Sequence, residues 1–160
     1  MKKWDFLVKL KLEEKLRITE PSEEIGSSYL AKSGNCLKSA KILLKEGLYE
    51  NSIGEAYYAM YDSSLALLFR CGIKCENHTA TAFLLGLLFG KTNLEKSMLD
   101  AKKERIDKQY YVTDEESYKK LQRDAKIMIS KAESFTIEIK LLIGSLNSIK
   151  IYEIRRKLEP

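Results

Sequence analysis

The sequence predicts an all-α protein, an up-and-down antiparallel bundle of four to five main helices with an additional N-terminal helix. Apolar residues recur at alternating spacings of three and four along most of the chain, which is the period of an amphipathic helix. Proline occurs only at Pro21 and Pro160, so few helices are forced to break. No segment alternates polar and apolar residues over any length, as a half-buried strand would. Short connections between long helices favour antiparallel neighbours.

The N-terminal third of the chain contains two predicted helices, at about residues 2–17 and 21–46. The first carries apolar residues that we place on one side, namely Trp4, Leu7 and Leu10. The second begins where a proline, a serine and two glutamates follow one another, because negative charge stabilises the positive end of the helix dipole. Gly47 is suited to the end of this helix.

The middle of the chain is more apolar and predicts two buried helices, at about residues 49–71 and 79–89. The first is apolar on most of its surface, which places it in the centre of the bundle. Tyr57 and Tyr61 share one of its faces, whereas Tyr58 points about 100° away. A buried phenol hydroxyl needs a hydrogen-bond partner, so these rings are either core residues with satisfied hydroxyls or part of a site.

The C-terminal half predicts a charged helix at about 94–110 and then a longer one with the clearest apolar stripe of the chain. Thr113 and Glu116 form a capping-box pattern at its start. The tail from Ile149 to Pro160 is either a short helix or a frayed end. We therefore expect one domain over residues 1–160, with its core at about 22–146 and with peripheral terminal segments. The stripe consists of Tyr118, Leu121, Ala125, Met128, Ala132, Phe135, Ile139 and Leu142.

Composition limits the class of protein. The formal net charge of +5 permits an acidic partner such as nucleic acid but does not require one. The three cysteines and the single histidine do not form a zinc-ligand set, so no metal and no cofactor are predicted. The longest apolar run, FLLGLLF, is too short to cross a membrane, and the charged N-terminus does not resemble a signal peptide. A cytoplasmic protein with reduced thiols and no membrane contact is expected.

Few residues are candidates for chemistry. His78 is the only histidine, so a Ser–His–Asp triad is not predicted. It either lines the start of its helix beside Asn77 or serves as a polar group close to Arg70 or Arg105.

The segment KKERIDKQYY places Arg105 and Lys108 one helical turn apart and Arg105 five residues before Tyr110. An arginine beside a tyrosine can bind phosphate and stack on a base. The alternative is a solvated charged face in which Glu104 and Asp107 pair with these cations, and the charge pattern alone favours it.

Three stretches resemble the HEPN domain family, in particular its small stand-alone prokaryotic group: NSIGEAYYAMYDSSLALLFRCGI, NHTATAFLLGLLF and KERIDKQYY. The family pattern has AYYAMF, then ALL and a glycine, and here AYYAMY is followed by ALL and Gly72. His78 stands at the histidine position, and Arg105 and Tyr110 stand at the arginine and tyrosine of the last element. The resemblance covers about residues 27–142.

The resemblance implies a four- to five-helix bundle, often a homodimer, and frequent partnership with a minimal nucleotidyltransferase that acts as antitoxin to a HEPN toxin. Active members are metal-independent ribonucleases whose signature is an arginine and a histidine separated by four to six residues, with the common toxin form R-x4-Y-x-H. Arg105 and Tyr110 match this signature, but Val112 replaces its histidine. Valine cannot transfer a proton, and general acid–base catalysis typically contributes about 10²- to 10⁴-fold in rate. His78 could substitute only if the fold brings it beside Arg105.

The leading hypothesis is therefore a toxin-like or regulatory partner of a nucleotidyltransferase with weak or no catalysis. Its nucleotide- or RNA-contacting end is expected to include Arg105, Lys108, Tyr110, His78 and Tyr57. One alternative is a ribonuclease toxin in which Arg105 and His78 are catalytic. Another is a non-catalytic dimerisation module whose tyrosines only fill the core. The resemblance also implies that Tyr110 is a candidate for nucleotide attachment, and it marks Glu55 as a departure, since this group often carries arginine or another polar residue there.

Overall fold

The structure, a computed structural model, describes residues 2–108 and 114–159 of the chain. Within these ranges it contains seven helices and one small two-stranded sheet, which confirms the all-α prediction. The elements in chain order are α1 (Lys3–Leu12), β1 (Leu16–Ile18), α2 (Glu23–Lys45), α3 (Tyr49–Arg70), β2 (Ile73–Cys75), α4 (His78–Phe89), α5 (Thr92–Lys108), α6 (Glu115–Gly144) and α7 (Ser148–Arg156).

The helix starts are fixed by local hydrogen bonds. Ser22 precedes α2, and its hydroxyl accepts the amide hydrogen of Ile25 at 3.1 Å. Asp114 precedes α6, and its carboxylate accepts the amide hydrogen of Ser117 at 2.7 Å. The predicted capping box placed this role on Thr113, which lies outside the described residues. None of the helices in 2–108 and 114–159 is long and apolar enough to cross a membrane.

The N-terminal segment differs from its prediction. Helix α1 ends at Leu12, and residues 16–18 form strand β1, antiparallel to β2, with Leu16 opposite Cys75. Three residues are too few to show the period of a strand, so the pattern could not indicate it. The predicted face of α1 is also wrong in part, because Leu7 and Leu10 are buried but Trp4 is 42% exposed.

Two apolar cores hold the helices together. The larger lies between α2, α3, α5 and α6, with a contribution from α4, and α3 runs through its centre. The smaller joins α1, the sheet, α4 and α7 to the C-terminal end of α3. Because helix α4 packs on both cores, its first residues are held at a fixed position beside the middle of α3.

Helix α7 is docked by a hydrogen-bonded arginine. Nη1 of Arg155 donates to the carbonyl oxygen of Thr19 at 2.6 Å and to that of Cys71 at 3.3 Å. Gly72 adopts a left-handed conformation (φ +68°), and a Cβ there would collide with the Arg155 guanidinium and the Thr19 carbonyl. The tail is therefore a packed helix, which decides between the two interpretations of the sequence.

Candidate functional site

Helices α3, α4 and α5 meet at a cluster of aromatic and basic side chains. Tyr57 of α3 is fully buried, and its hydroxyl lies 2.6 Å from Nδ1 of His78. His78 is the first residue of α4, which begins here because the Asn77 side chain accepts the amide hydrogen of Ala80 at 2.9 Å. Asn77 is thus the capping residue, whereas His78 turns towards α3.

The imidazole of His78 lies in an aromatic stack. Its ring is parallel to that of Tyr61, with 3.8 Å between centroids and 4° between planes. Tyr57 and Tyr61 can both reach it because residues four apart lie on the same face of a helix. Burial raises the pKa of Tyr61 to about 12 and also raises that of Tyr57, so both phenols are neutral at physiological pH.

The charge state of His78 follows from its surroundings. Burial lowers its pKa, and the positive charges of Arg105 and Lys102 lower it further. The ring is therefore neutral at pH 7 and able to accept a proton. Its bond to Tyr57 admits two arrangements: the phenol donates to Nδ1, or Nδ1–H donates to the phenol oxygen and leaves the lone pair on Nε2.

Arg105 of α5 is held against two tyrosine rings. Its guanidinium carbon lies 5.1 Å from the ring centroid of Tyr57 and 5.3 Å from that of Tyr58, within the range of cation–π contacts. Nη1 donates to the Tyr58 hydroxyl at 3.0 Å. Its buried Nε has no hydrogen-bond partner among the described residues. Most of the donors of this guanidinium are thus not used by the described part of the fold.

The other cations are placed differently. Nζ of Lys102 donates to the Thr79 hydroxyl at 2.8 Å, so a second positive charge lies at the start of α4. Lys108 instead forms an ion pair with Asp124 and a longer one with Glu104, at 3.9 Å. Glu104 was one of the two acidic residues expected to pair here.

Several candidates do not join the cluster. Arg70, which the sequence offered as a neighbour of His78, pairs with Glu23 at 3.1 Å. Tyr110 and Val112 lie outside the described residues, so their roles remain predictions. Of the site residues proposed from the sequence, the structure thus brings together Tyr57, His78 and Arg105.

A cleft opens beside Arg105 that sequence reasoning did not identify. It has a volume of about 240 Å³ and lies between α2, α3 and α5. The sequence contains part of the pattern that forms it. Five of the lining residues, at positions 50, 51, 54, 55 and 58, share one face of a helix. The lining residues are Leu43, Glu50, Asn51, Gly54, Glu55, Tyr58 and Arg105.

Three curated proteins are similar to this chain in sequence. A UPF0332 protein of Gloeobacter violaceus is 28% identical over 104 residues, which is 62% of this chain and 80% of that protein. A protein of Methanocaldococcus jannaschii named "Putative toxin" is 30% identical over 111 residues, 65% of this chain and 78% of its own length. A UPF0332 protein of Pyrococcus horikoshii is 35% identical over 78 residues, 49% of this chain and 45% of that protein.

The HEPN domain family model matches residues 27–142, which include α3, α4 and α5 and most of α2 and α6. This is the same range over which the sequence motifs resemble that family. The match includes every described residue of the aromatic and basic cluster. The chain therefore belongs to the HEPN family.

Proposed function

We propose that this HEPN protein binds the phosphate of RNA or of a nucleotide at Arg105, as the toxin-like or regulatory partner of a nucleotidyltransferase, with weak or no catalysis. The observation that carries the proposal is that Arg105 is fixed in orientation but makes few hydrogen bonds to the described residues. Its guanidinium is held by the rings of Tyr57 and Tyr58, yet most of its donors have no partner among the described residues. A guanidinium that is already oriented loses little entropy when it forms a bidentate bond to phosphate.

The surroundings of Arg105 suit a nucleic acid. Lys102 adds a second positive charge near the start of α4. Tyr58 is 36% exposed, and an exposed ring beside a cation is the usual platform on which an unpaired base stacks. The +5 net charge of the chain adds long-range attraction for a polyanion. Tyr110, which follows Arg105 in the motif, is proposed as a further contact or as a site of nucleotide attachment.

Weak catalysis follows from the motif. Val112 stands where active relatives have histidine, and it offers no group that exchanges protons. The one histidine of the chain, His78, is bonded to Tyr57 and stacked on Tyr61. A ring held in this way is suited to orienting Tyr57, which in turn supports Arg105.

The proposed partnership rests on the family. A relative from Methanocaldococcus jannaschii is named "Putative toxin". The family resemblance implies pairing with a minimal nucleotidyltransferase and assembly as a homodimer. Affinity purification from the native cell is expected to recover a nucleotidyltransferase. Recovery of neither that enzyme nor nucleic acid would contradict the proposal.

The direct test is a titration of fluorescein-labelled single-stranded RNA of mixed sequence against the wild type and Arg105→Ala. Loss of charge-assisted hydrogen bonds worth about 1.5–3 kcal/mol predicts weakening by about 10- to 100-fold. Lys103→Ala is the matched control, because Lys103 is an exposed cation on the same helix. Equal binding by Arg105→Ala and Lys103→Ala would contradict the assignment. If neither Arg105→Ala nor Tyr57→Phe alters ligand binding or growth, the dimerisation module is the better description.

A second candidate function, a ribonuclease toxin, is favoured by one observation. Arg105 and His78 both contact Tyr57, so the fold brings the only histidine close to the candidate phosphate ligand. A neutral His78 whose Nδ1–H donates to Tyr57 has its Nε2 lone pair free to accept the proton of an RNA 2′-hydroxyl. Arg105 would then stabilise the charge of the phosphorane.

Cleavage of RNA by purified protein distinguishes the two functions. If the protein is a ribonuclease, the wild type is expected to cleave RNA, and Arg105→Ala and His78→Gln are each expected to abolish this cleavage. Binding without cleavage supports the non-catalytic role, and cleavage that persists in both variants indicates a contaminating nuclease.

A further inference from the structure

We propose that the cleft beside Arg105 is a nucleobase subsite that prefers guanine. This inference rests on the proposed function, because it specifies which part of an RNA or nucleotide lies next to the bound phosphate. The cleft is lined by one face of α3, by Leu43 of α2 and by Arg105 of α5. Its volume of about 240 Å³ is below that of a typical ligand pocket, which suits one planar base rather than a whole nucleotide.

The lining of the cleft includes a glycine that the fold does not require. Gly54 lies inside α3, where glycine costs about 0.5–1 kcal/mol relative to alanine. Its φ is not positive, and a Cβ built there would meet no atom within 4 Å. Neither backbone strain nor packing explains the residue. Its consequence is to keep the cleft open at a point where any side chain would narrow it.

The walls of the cleft combine a π surface with hydrogen-bond acceptors. Tyr58 presents a partly exposed ring, whose position is held by its hydrogen bond from Arg105. Glu50 and Glu55 contribute carboxylates, and Asn51 contributes an amide. An aromatic ring beside carboxylates suits a flat heterocycle whose edge donates hydrogen bonds.

Guanine meets this requirement better than the other bases. Its Watson–Crick edge carries two adjacent donors, N1–H and the N2 amino group, which one carboxylate can accept together. Adenine and cytosine present a ring-nitrogen acceptor at the corresponding place, and uracil offers one N–H between two carbonyl oxygens. Each of those three bases would direct at least one lone pair at the carboxylate.

Glu55 is the better placed of the two carboxylates. It is half-buried, whereas Glu50 is exposed, so its hydrogen bonds compete less with water. On its other side lies Cys36 of α2. Burial, followed by the charges of Glu55 and Asp62, raises the pKa of Cys36 to about 12, so this group remains a neutral thiol. It donates its hydrogen to the Asp62 carboxylate at 3.8 Å, which leaves the Glu55 carboxylate to a ligand.

The charged residues that line the cleft also determine how a nucleotide is oriented in it. The carboxylates of Glu50 and Glu55 repel a phosphate from their part of the cleft, whereas the guanidinium of Arg105 attracts one. Lys102 lies one helical turn before Arg105 on α5 and adds a second positive charge at the start of α4. The phosphate is therefore expected at Arg105 and the base towards Glu55, with Tyr58 between them as the stacking surface.

The test is calorimetric titration of the full-length protein with the 5′-monophosphates of guanosine, adenosine, cytidine and uridine. A matched bidentate pair predicts at least about 10-fold tighter binding of the guanosine nucleotide than of the other three. Glu55→Gln is expected to reverse the order of guanosine and adenosine, because a carboxamide offers one donor and one acceptor, which match adenine. Glu46→Gln is the control, because Glu46 is an exposed carboxylate outside the lining of the cleft, and it is expected to keep the guanosine preference.

A third variant separates the cleft from the phosphate site. Gly54→Leu fills the cleft with a good helix-forming residue, so the thermal midpoint is expected to be maintained while base discrimination is lost. Equal binding of all four nucleotides by the wild type, together with an Arg105-dependent affinity for mixed RNA, would overturn the guanine subsite and leave the proposed function intact. Absence of both nucleotide and RNA binding would overturn the two together. Glu55-dependent binding of spermidine, with none of guanosine monophosphate, would assign the cleft to cations and overturn the inference.

Discussion

Two half-buried arginines lie in different regions of this molecule and have opposite surroundings. Arg155, at the junction of α7 with the end of α3, donates to two backbone carbonyl groups, those of Thr19 and Cys71. Arg105, where α3, α4 and α5 meet, contacts two aromatic rings and donates to one exposed hydroxyl. The first guanidinium has acceptors within the fold, whereas the second is oriented but largely without acceptors among the described residues.

This difference separates a structural arginine from a binding one. Backbone carbonyls need partners once they are removed from water, so Arg155 contributes to the stability of the fold. Aromatic faces fix the direction of a guanidinium without consuming its N–H groups, so Arg105 remains able to bind an anion. The comparison predicts that changes at Arg155 alter folding and that changes at Arg105 alter binding.

The largest effect is expected for Arg155→Ala. The substitution leaves the Thr19 and Cys71 carbonyls without their donor, at a cost of about 2–3 kcal/mol in the free energy of unfolding. Urea denaturation followed by circular dichroism measures it. Arg156→Ala, at the exposed neighbouring position, is expected to change stability by less than about 0.5 kcal/mol. Equal stabilities of the two variants would contradict a structural role for Arg155.

Arg105→Ala is expected to give the reverse pattern. RNA binding weakens by about 10- to 100-fold, whereas the free energy of unfolding falls by less than about 1 kcal/mol, the value of a partly exposed cation–π contact. Fluorescence anisotropy and denaturation of the same preparation give both values. A loss of stability as large as that of Arg155→Ala would show that Arg105 also serves the fold.

Tyr57→Phe tests the support beneath Arg105. The ring remains, so its contact with the guanidinium is kept, but the hydrogen bond to His78 is lost. We expect a loss of stability of about 1 kcal/mol and a change in RNA affinity smaller than that of Arg105→Ala. If the phenylalanine variant loses RNA binding completely, the hydroxyl and not the ring is the functional group.

The smallest effect concerns pH. The pKa of His78 is lowered in the folded protein, whereas an unfolded histidine titrates near 6.5, so the unfolded chain binds more protons below about pH 7. This contribution to stability is therefore complete above pH 7 and is lost as the pH falls.

Tyr57 and Tyr61 flank His78, and burial raises the pKa of both phenols, so neither of them titrates in this range. Denaturation midpoints between pH 5.5 and 7.5 are expected to fall less steeply with decreasing pH for His78→Gln than for the wild type. Identical pH dependence in the two proteins would contradict a lowered pKa. Arg155→Ala, which lies in the other region, is expected to keep the pH dependence of the wild type.

The helices and their core faces could be predicted because they are local properties. Spacings of three and four bring residues such as Leu121, Ala125 and Met128 onto one face wherever the helix lies, and all three are buried. Strand β1 and the exposure of Trp4 could not be predicted in this way. They depend on which segment passes beside residues 16–18 and on how much of α1 its neighbours cover.

By itself, the sequence determined the helical fold, the family and three members of the central cluster, because these depend on residue type and spacing. Only the tertiary structure decided that Tyr57 bonds to His78, that Lys108 is held by Asp124 while Arg105 is not paired with a described carboxylate, and that a cleft opens beside Arg105. The physical reason is that a helix fixes the direction of a side chain relative to its own axis. The partner that the side chain contacts depends on how the neighbouring helices pack. That packing cannot be deduced from the local sequence of one helix.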